Sequence, residues 1–323
     1  MEYYSSLSGR QYVLGKQSGR GGEATIFEIE NYSGAVAKLY KPELCNSSYR
    51  EEKLRTMLRM GVPANLEEQI AFPKDILYKK GEFVGFVMRR VSGVPMNEVW
   101  SDESLDAIKR VTICKNMCAL LYEIHATTGL IAGDLNPYNI LITPSTGMVR
   151  MIDVDSWHIS NQSNGRVFRC EVGIPEYMAP SVANAIPKGE TLKTAPLPTF
   201  THETDRYSMG VLLYQILQNG VHPFAVSLAK GNTTENVPQP TELMRNYQFP
   251  YIQEQCPTGY QIPIYSLPLK TLSYRLQNLF QKTFNGENVP IEHFFNALSA
   301  FEKELVNTCK KNTLHKYRKG LYS

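Results

Sequence analysis

At 323 residues the chain has room for two average domains or one domain of two lobes, and its 42% hydrophobic and 20% charged content is that of an ordinary folded protein. A net charge of +3, spread along the chain, gives no argument for nucleic acid or a membrane surface as partner. No apolar run approaches bilayer-spanning length, "MEYYSSLSGRQYVLG" lacks the basic-then-apolar pattern of a leader, and the six cysteines show no CxxC spacing, so a reducing, cytoplasmic setting is expected.

Residues 12–40 read as strand, glycine-rich turn, strand, turn and strand: "YVLGKQ", "SGRGGEAT", "IFEIE", "NYSG", "AVAKLY". A polar helix is predicted over 47–60, with a Ser run able to cap it. "DILYKKGEFVGFVMRRV" reads as a hairpin turning at Lys80-Gly81, so the first ~90 residues form a small sheet with one helix. From about residue 102 the period changes. Leu105, Ile108, Val111, Cys114, Cys118, Leu121 and Ile124 fall near helical spacing behind an acidic start. The stretch "IAGDLNPYNILITPSTGMVRMIDVDSWHI" supplies two short strands, and "DRYSMGVLLYQILQNG" a buried helix ending at Gly220. "YRLQNLFQKTF" and "PIEHFFNALSAFEKELVNTC" read as two amphipathic helices, and the Pro-rich segment 185–200 as a surface insertion. A basic tail, 309–323, closes the chain as a solvated or frayed end.

Three constellations carry candidate chemistry. Gly19, Gly21 and Ala24 in "GRGGEATI" make a turn whose small residues let backbone N–H groups approach phosphate oxygens, although most such turns bind nothing. Lys38 in "AVAKLY" would ordinarily face solvent. It follows the glycine turn, however, and precedes a helix carrying Glu51 and Glu52. A Lys–Glu pair would hold the ammonium where phosphate charge needs it, and Glu51 is preferred because it shares a helical face with Leu54 and Leu58. The third constellation is Asp134, Asn139 and Asp153. An Asn amide oxygen and a carboxylate are hard donors suited to Mg²⁺, and a separate Asp free of metal can accept a proton from a hydroxyl. Taken singly, each reads as a turn residue.

Taken in order, these segments resemble the protein-kinase superfamily over nearly the whole chain. "GRGGEATI" is similar to the nucleotide-covering loop and "AVAKLY" to the strand bearing the ATP-positioning Lys. "GDLNPYNILI" resembles the catalytic loop, with Asp134 as base and Asn139 as metal ligand. "IDVDSW" stands where the metal-binding Asp-Phe-Gly belongs, with Asp153 as principal ligand. "GIPEYMAPS" resembles the end of the activation segment, and Asp205 in "TDRYSMGVLLYQIL" the residue that anchors the catalytic-loop backbone. "FVMRRV" resembles the hinge, placing Met88 as gatekeeper with adenine hydrogen bonds from the backbone around Arg89 and Val91. Gly22, Ile26, Ala37 and Leu141 complete the implied nucleotide contacts. The resemblance implies an α+β, bilobal fold: a β-rich N-lobe over 1–91 with one main helix, and a larger helical C-lobe over 92–308. It implies ATP and Mg²⁺ as cofactors and Ser/Thr of a protein as substrate.

More narrowly, "IDVDSW" and "LVNTCKKNTLHKY" resemble a bacterial subgroup found beside stress-response or tellurium-resistance genes, PP2C-type phosphatases and von Willebrand A-type proteins, which are the partners so implied. Cys309 and His315 stand without the second Cys pair of that subgroup, and no zinc site is expected.

The departures from the pattern are specific. Ala132-Gly133 replaces the His-Arg before the base, removing the Arg that answers a phosphorylated activation loop. Asn136 replaces a Lys near the transferring phosphoryl, a loss worth on the order of 3 kcal/mol of transition-state stabilisation if nothing substitutes. Asp155 replaces a Gly, adding a carboxylate able to recruit a second cation or to repel nucleotide in the absence of metal. Ser181 and Val289 jointly replace an expected Glu–Arg pair, which avoids a buried charge without its partner. The expected function is a protein Ser/Thr kinase capable of autophosphorylation. The rival is a pseudokinase that senses nucleotide or scaffolds a complex; a DNA-linked role finds no basic or aromatic support.

Overall fold

The computed structural model describes residues 3–45, 48–100, 102–161, 165–187, 189–194, 200–231 and 236–320. Six strands open the chain: β1 (Tyr3–Ser6), β2 (Gln11–Arg20), β3 (Ala24–Ile29), β4 (Ala35–Tyr40), β5 (Pro73–Lys79) and β6 (Glu82–Arg89). They form a closed barrel in the order β1-β2-β3-β4-β6-β5, not a small open sheet. Closure comes from β1, which the sequence reading missed; it pairs with β2 at Tyr4↔Tyr12 and with β5 at Ser5↔Tyr78. A four-residue strand ending in two serines carries too little apolar alternation to be recognised. The β5–β6 hairpin turns where expected, at Lys80 and Gly81, both in the left-handed region (φ 53° and 86°) as a two-residue hairpin turn requires.

Period-two alternation splits β4 between two cores. Ala35 and Ala37 join Tyr4, Tyr12, Leu77 and Val87 in one cluster. Val36 and Tyr40 join the larger cluster that runs beneath the barrel, where Leu54 and Met57 of the main helix also pack. After a short turn of helix, α1 (Pro42–Cys45), that main helix is α2 (Ser48–Met60), which buries Lys53, Leu54, Thr56 and Met57. Of the Ser run expected to cap it, Ser47 lies outside the described residues and Ser48 is the first residue of the helix.

The second lobe begins with β7 (Val94–Pro95), α3 (Met96–Val99) and α4 (Ala107–Thr128). Asp106 caps α4 by accepting from the Lys109 N–H, and Gly129 ends it at φ 66°. One α4 position that the apolar pattern omitted is central. Arg110 is buried and donates to the carbonyls of Leu105, Trp100, Asp102 and Ile216, satisfying groups at the ends of neighbouring elements. β8 (Ile140–Thr143) and β9 (Met148–Met151) pair with β7 as a three-stranded sheet, followed by the short hairpin β10 (Ile159–Asn161) and β11 (Arg166–Phe168). Next come α5 (Pro180–Ala185) and α6 (His202–Leu217), the second capped by a Thr201–Thr204 box and buried almost throughout. Ser181 is exposed and Val289 buried, in keeping with the loss of an ion pair between them. Of the 185–200 segment, Lys188 and 195–199 lie outside the described residues.

Beyond β12 (Ser227–Leu228), α7 (Pro240–Arg245) and β13 (Tyr260–Gln261), α8 (Tyr274–Phe284) and α9 (Ile291–Gly320) finish the lobe. α9 carries the chain as helix to Gly320, in place of the tail expected from 309 onward; the side chain of His315 lies outside the described residues.

Candidate active site

A cleft of about 750 Å³ lies under the barrel, roofed by the turn between β2 and β3. Gly19, Gly21, Gly22, Ala24 and Ile26 line that roof, and the Gly21 N–H donates to the Ala24 carbonyl at 2.8 Å to close the turn. Met88, Arg89 and Val91 line the back wall, and Leu141 of β8 faces them. Ala37 does not line the cleft. It is fully buried on the opposite face of β4, and Val36 lines the cleft in its place. Lys38 and Val36 lie two apart and share a face, so alternation alone would have selected Val36.

The floor is the loop 131–139. Asp205 at the start of α6 is 1% exposed and accepts the N–H groups of Ala132 (2.7 Å) and Gly133 (2.8 Å), with His125 Nε2 3.0 Å away. This fixes the loop backbone, as the sequence reading expected of Asp205. Gly133 has φ 74°, and a side chain there would meet Cys170 Cβ at 2.9 Å, so the missing Arg is replaced by close packing of the activation segment. Asn136 is 2% exposed and does not face the cleft as a phosphate-contacting group would. Its Nδ2 donates to Asp134 Oδ1 at 2.8 Å, and its Oδ1 accepts from the Tyr138 N–H at 2.9 Å. Asn139 Nδ2 donates to Asp134 Oδ2 at 3.1 Å, which leaves the amide oxygen as the atom able to ligate a cation. Burial pushes the Asp134 carboxyl up from its ordinary range, while the Asn136 amide works against that rise.

Asp153 sits just after β9 in the left-handed region at φ 60°, where a carboxylate residue is better tolerated than most. Its Oδ1 accepts from Lys38 Nζ, and Asp155 Oδ1 accepts from the same ammonium at 2.6 Å. Asp155 Oδ2 accepts from the Tyr40 hydroxyl at 2.6 Å. The expected Lys38–Glu51 pair is therefore absent. Glu51 Oε1 accepts from Arg55 (2.9 Å) and Tyr78 (2.7 Å), and Glu52, the alternative, is bound to Arg166. The helix turns both carboxylates away from the cleft and buries Lys53 and Leu54 instead. Burial alone would lower Lys38, yet the adjacent charges of Asp155 and Asp153 hold its ammonium above the ordinary value. Burial would raise Asp155, but Lys38 and the Tyr40 hydroxyl keep it below the ordinary carboxylate range. Burial raises Asp153, against the pull of Lys38.

The donor set fits a hard divalent cation. Asp153 and Asn139 offer carboxylate and amide oxygens on one cleft floor, and Mg²⁺ that keeps several waters needs few protein ligands. Asp155 was also expected to be a ligand, but both of its oxygens are engaged by Lys38 and Tyr40. Besides Val36, the sequence reading missed Tyr40, Lys53 and Gly85. Gly85 pairs opposite Leu39, and a Cβ there would come within 2.0 Å of the Lys38 carbonyl, so only glycine lets β6 lie this close to the strand carrying Lys38. An isolated Gly in a strand is the signal that would have found it.

Comparison with known proteins accords with this geometry. Residues 12–305 match the family described as protein kinase domain. The chain is 26% identical over 304 residues to "Protein kinase YegI" of Escherichia coli (strain K12), covering 87% of this chain and 42% of that protein. It is 26% identical over 262 residues to "Serine/threonine-protein kinase pkn3" of Myxococcus xanthus (74% and 44%) and 26% identical over 226 residues to "Serine/threonine-protein kinase PknA" of Mycobacterium tuberculosis (68% and 49%). The chain thus spans less than half the length of these relatives. With the match extending from the second strand to the last helix, the chain belongs to the protein kinase family.

Proposed function

We propose that the chain binds ATP with Mg²⁺ in this cleft and transfers the γ-phosphoryl group to Ser or Thr of a protein, itself included, with 1–91 and 92–308 as the two lobes. The observation that carries this reading is the convergence of Lys38, Asp134, Asn139 and Asp153 on one cleft from three separate parts of the chain. Asn139 and Asp153 would hold the cation, whose bound charge would offset that developing on the phosphate oxygens. Asp134, held by two amides, accepts the proton of the substrate hydroxyl as that oxygen bonds to phosphorus and the bond to the departing diphosphate breaks. Lys38 orients the phosphates. The neutral Asn136 acts by fixing Asp134, not by adding positive charge.

One observation favours a second reading as a pseudokinase. Lys38 is closed onto Asp153, and that contact must be shared or released before the same carboxylate binds a cation. Autophosphorylation with labelled ATP and Mg²⁺ separates the two, using wild type, Asp134→Ala and Asp153→Ala. Label on wild type alone supports the kinase. No label, together with a nucleotide-dependent rise in melting temperature, supports the pseudokinase; neither response removes both.

A cytoplasmic role in bacterial signalling or stress response is supported by the bacterial relatives and by thiols at Cys45, Cys114, Cys118, Cys170 and Cys256. Among the described residues no helix is long and apolar enough to cross a membrane. PP2C-type phosphatase and von Willebrand A-type partners rest on the subgroup resemblance alone, and co-purification with such proteins tests them.

A further inference from the structure

The face that α2 turns toward the cleft has the wrong charge for its usual task. In kinases a carboxylate of this helix holds the phosphate-binding Lys, and both must be in place for transfer. Here Arg50 and Lys53, one helical turn apart, line a small cavity beside the cleft together with Tyr40 and Asp155. Lys53 is 6% exposed, and its ammonium makes a long 3.5 Å contact with the Arg169 carbonyl. Arg50 is spoken for: it pairs with Glu23 at 3.0 Å and lies over the Tyr40 ring. The carboxylate missing from the helix appears instead at Asp155, where the family pattern has glycine. It is 8% exposed, bonded to Lys38 through one oxygen and pinned by Tyr40 through the other.

The two departures explain each other. A glutamate at 53 with Asp155 present would add a carboxylate beside one whose oxygens are already engaged by Lys38 and Tyr40. A lysine at 53 with glycine at 155 would take the Asp155 carboxylate from the cavity that Lys53 lines and leave Lys38 with Asp153 alone. Uncompensated buried charges of either kind cost several kcal/mol, so each change is unfavourable alone and acceptable with the other.

We propose that Asp155 is the positioning residue that holds Lys38 for the phosphates, in place of a helix carboxylate, with Lys53 as the compensating charge on α2. This rests on the reading of the cleft as an ATP site. It reassigns Asp155 from metal ligand to partner of Lys38 and leaves Asp153 to turn to the cation. It also places both the partner of Lys38 and the principal metal ligand on one turn after β9, so the position of α2 no longer decides whether Lys38 is held.

The test measures Mg-ATP affinity, steady-state transfer and melting temperature in the full chain for wild type, Asp155→Gly, Asp155→Gly with Lys53→Glu, Asp155→Gly with Lys53→Met, and Tyr40→Phe. Asp155→Gly should lower kcat/KM about 100-fold, the scale for losing one charge-positioning group at a phosphoryl site. Adding Lys53→Glu should restore at least about tenfold by returning a carboxylate from the helix, while adding Lys53→Met should not, a rescue that a merely structural role would not produce. Where Asp155→Gly fails to fold, Tyr40→Phe carries the test, with several-fold weaker nucleotide affinity expected. The proposal is overturned if Asp155→Gly matches wild type in affinity and transfer, if the Glu and Met partners rescue equally, or if Tyr40→Phe leaves affinity unchanged. A wild type with neither nucleotide binding nor transfer would instead remove the ATP-site reading, and this proposal with it.

Discussion

The loop around Asp134 and the turn around Asp155 border the same cleft, but they are held in different ways. The Asp134 loop is fixed mostly by hydrogen bonds within itself and to one anchor: Asn136 and Asn139 grip the carboxylate, and Asp205 takes two backbone N–H groups. The amide bonds are local, whereas Asp205 reaches the loop from 72 and 73 residues away. The Asp155 turn is fixed by charge brought from β4, with Lys38 and Tyr40 as its partners. Where a site is held by long-range charge, the partners can be exchanged as a set; where it is held by its own backbone, they cannot.

The largest expected effect is at the loop. Asp134→Asn should reduce phosphoryl transfer by about 10³-fold while leaving nucleotide affinity within a few-fold, as read by label transfer beside calorimetric binding. Equal losses in both would show that Asp134 supports the fold of the cleft and not the proton transfer. Asp205→Ala comes next. It strands two buried N–H groups beside His125, and a urea titration should show about 3 kcal/mol of lost stability. A loss below about 1 kcal/mol would mean that the loop is not anchored through α6.

A comparable effect at the turn side appears only with pH. Burial lowers Lys53 from 10.5 to about 8, so between those values the unfolded chain keeps a proton that the folded chain has released. Folding stability contributed at this site therefore rises as pH climbs from about 8 toward 10.5, by on the order of 3 kcal/mol at most. Lys38, held above 10.5, loses its own contribution only at higher pH. Lys53→Met should abolish the rise in melting temperature between pH 8 and 10 relative to wild type. A wild type and variant that track each other across that range would place the Lys53 ammonium in solvent. The smallest effect concerns β4. Val36→Ala should change nucleotide affinity a few-fold and cost about 1–2 kcal/mol of stability, since Val36 is also part of the larger core. Ala37→Val should cost about 1–3 kcal/mol by overpacking the barrel, with affinity unchanged.

This contrast also marks what the sequence made legible. The loop side could be read because the spacing of Asp134 and Asn139 and the apolar helix behind Asp205 form short patterns that resemble the family's. The turn side could not. Lys38 and Asp155 are 117 residues apart, and although Arg55 stands one helical turn beyond Glu51, no local signal brings Tyr78 to that carboxylate. Helical spacing chose Glu51 because it shares a face with Leu54 and Leu58, but of those two only Leu54 is buried, and the buried set is Lys53, Leu54, Thr56 and Met57. The Ala37 assignment was avoidable, since strand alternation already favoured Val36.

Barrel closure by β1 has a mechanical consequence. An open sheet can yield at its edges, where unpaired strands peel and re-pair at little cost. Here β5 is covered by β1 on one side and β6 on the other, so the strands above the cleft have no edge from which to fray. Whatever compliance the cleft needs to admit and release a bulky ligand then falls to the Gly19–Gly22 turn and to the connection from Arg89 to Val91. Amide exchange should be slow through β4 and β6 and fast at those two places, with the lobe moving on its hinge as a stiff cap.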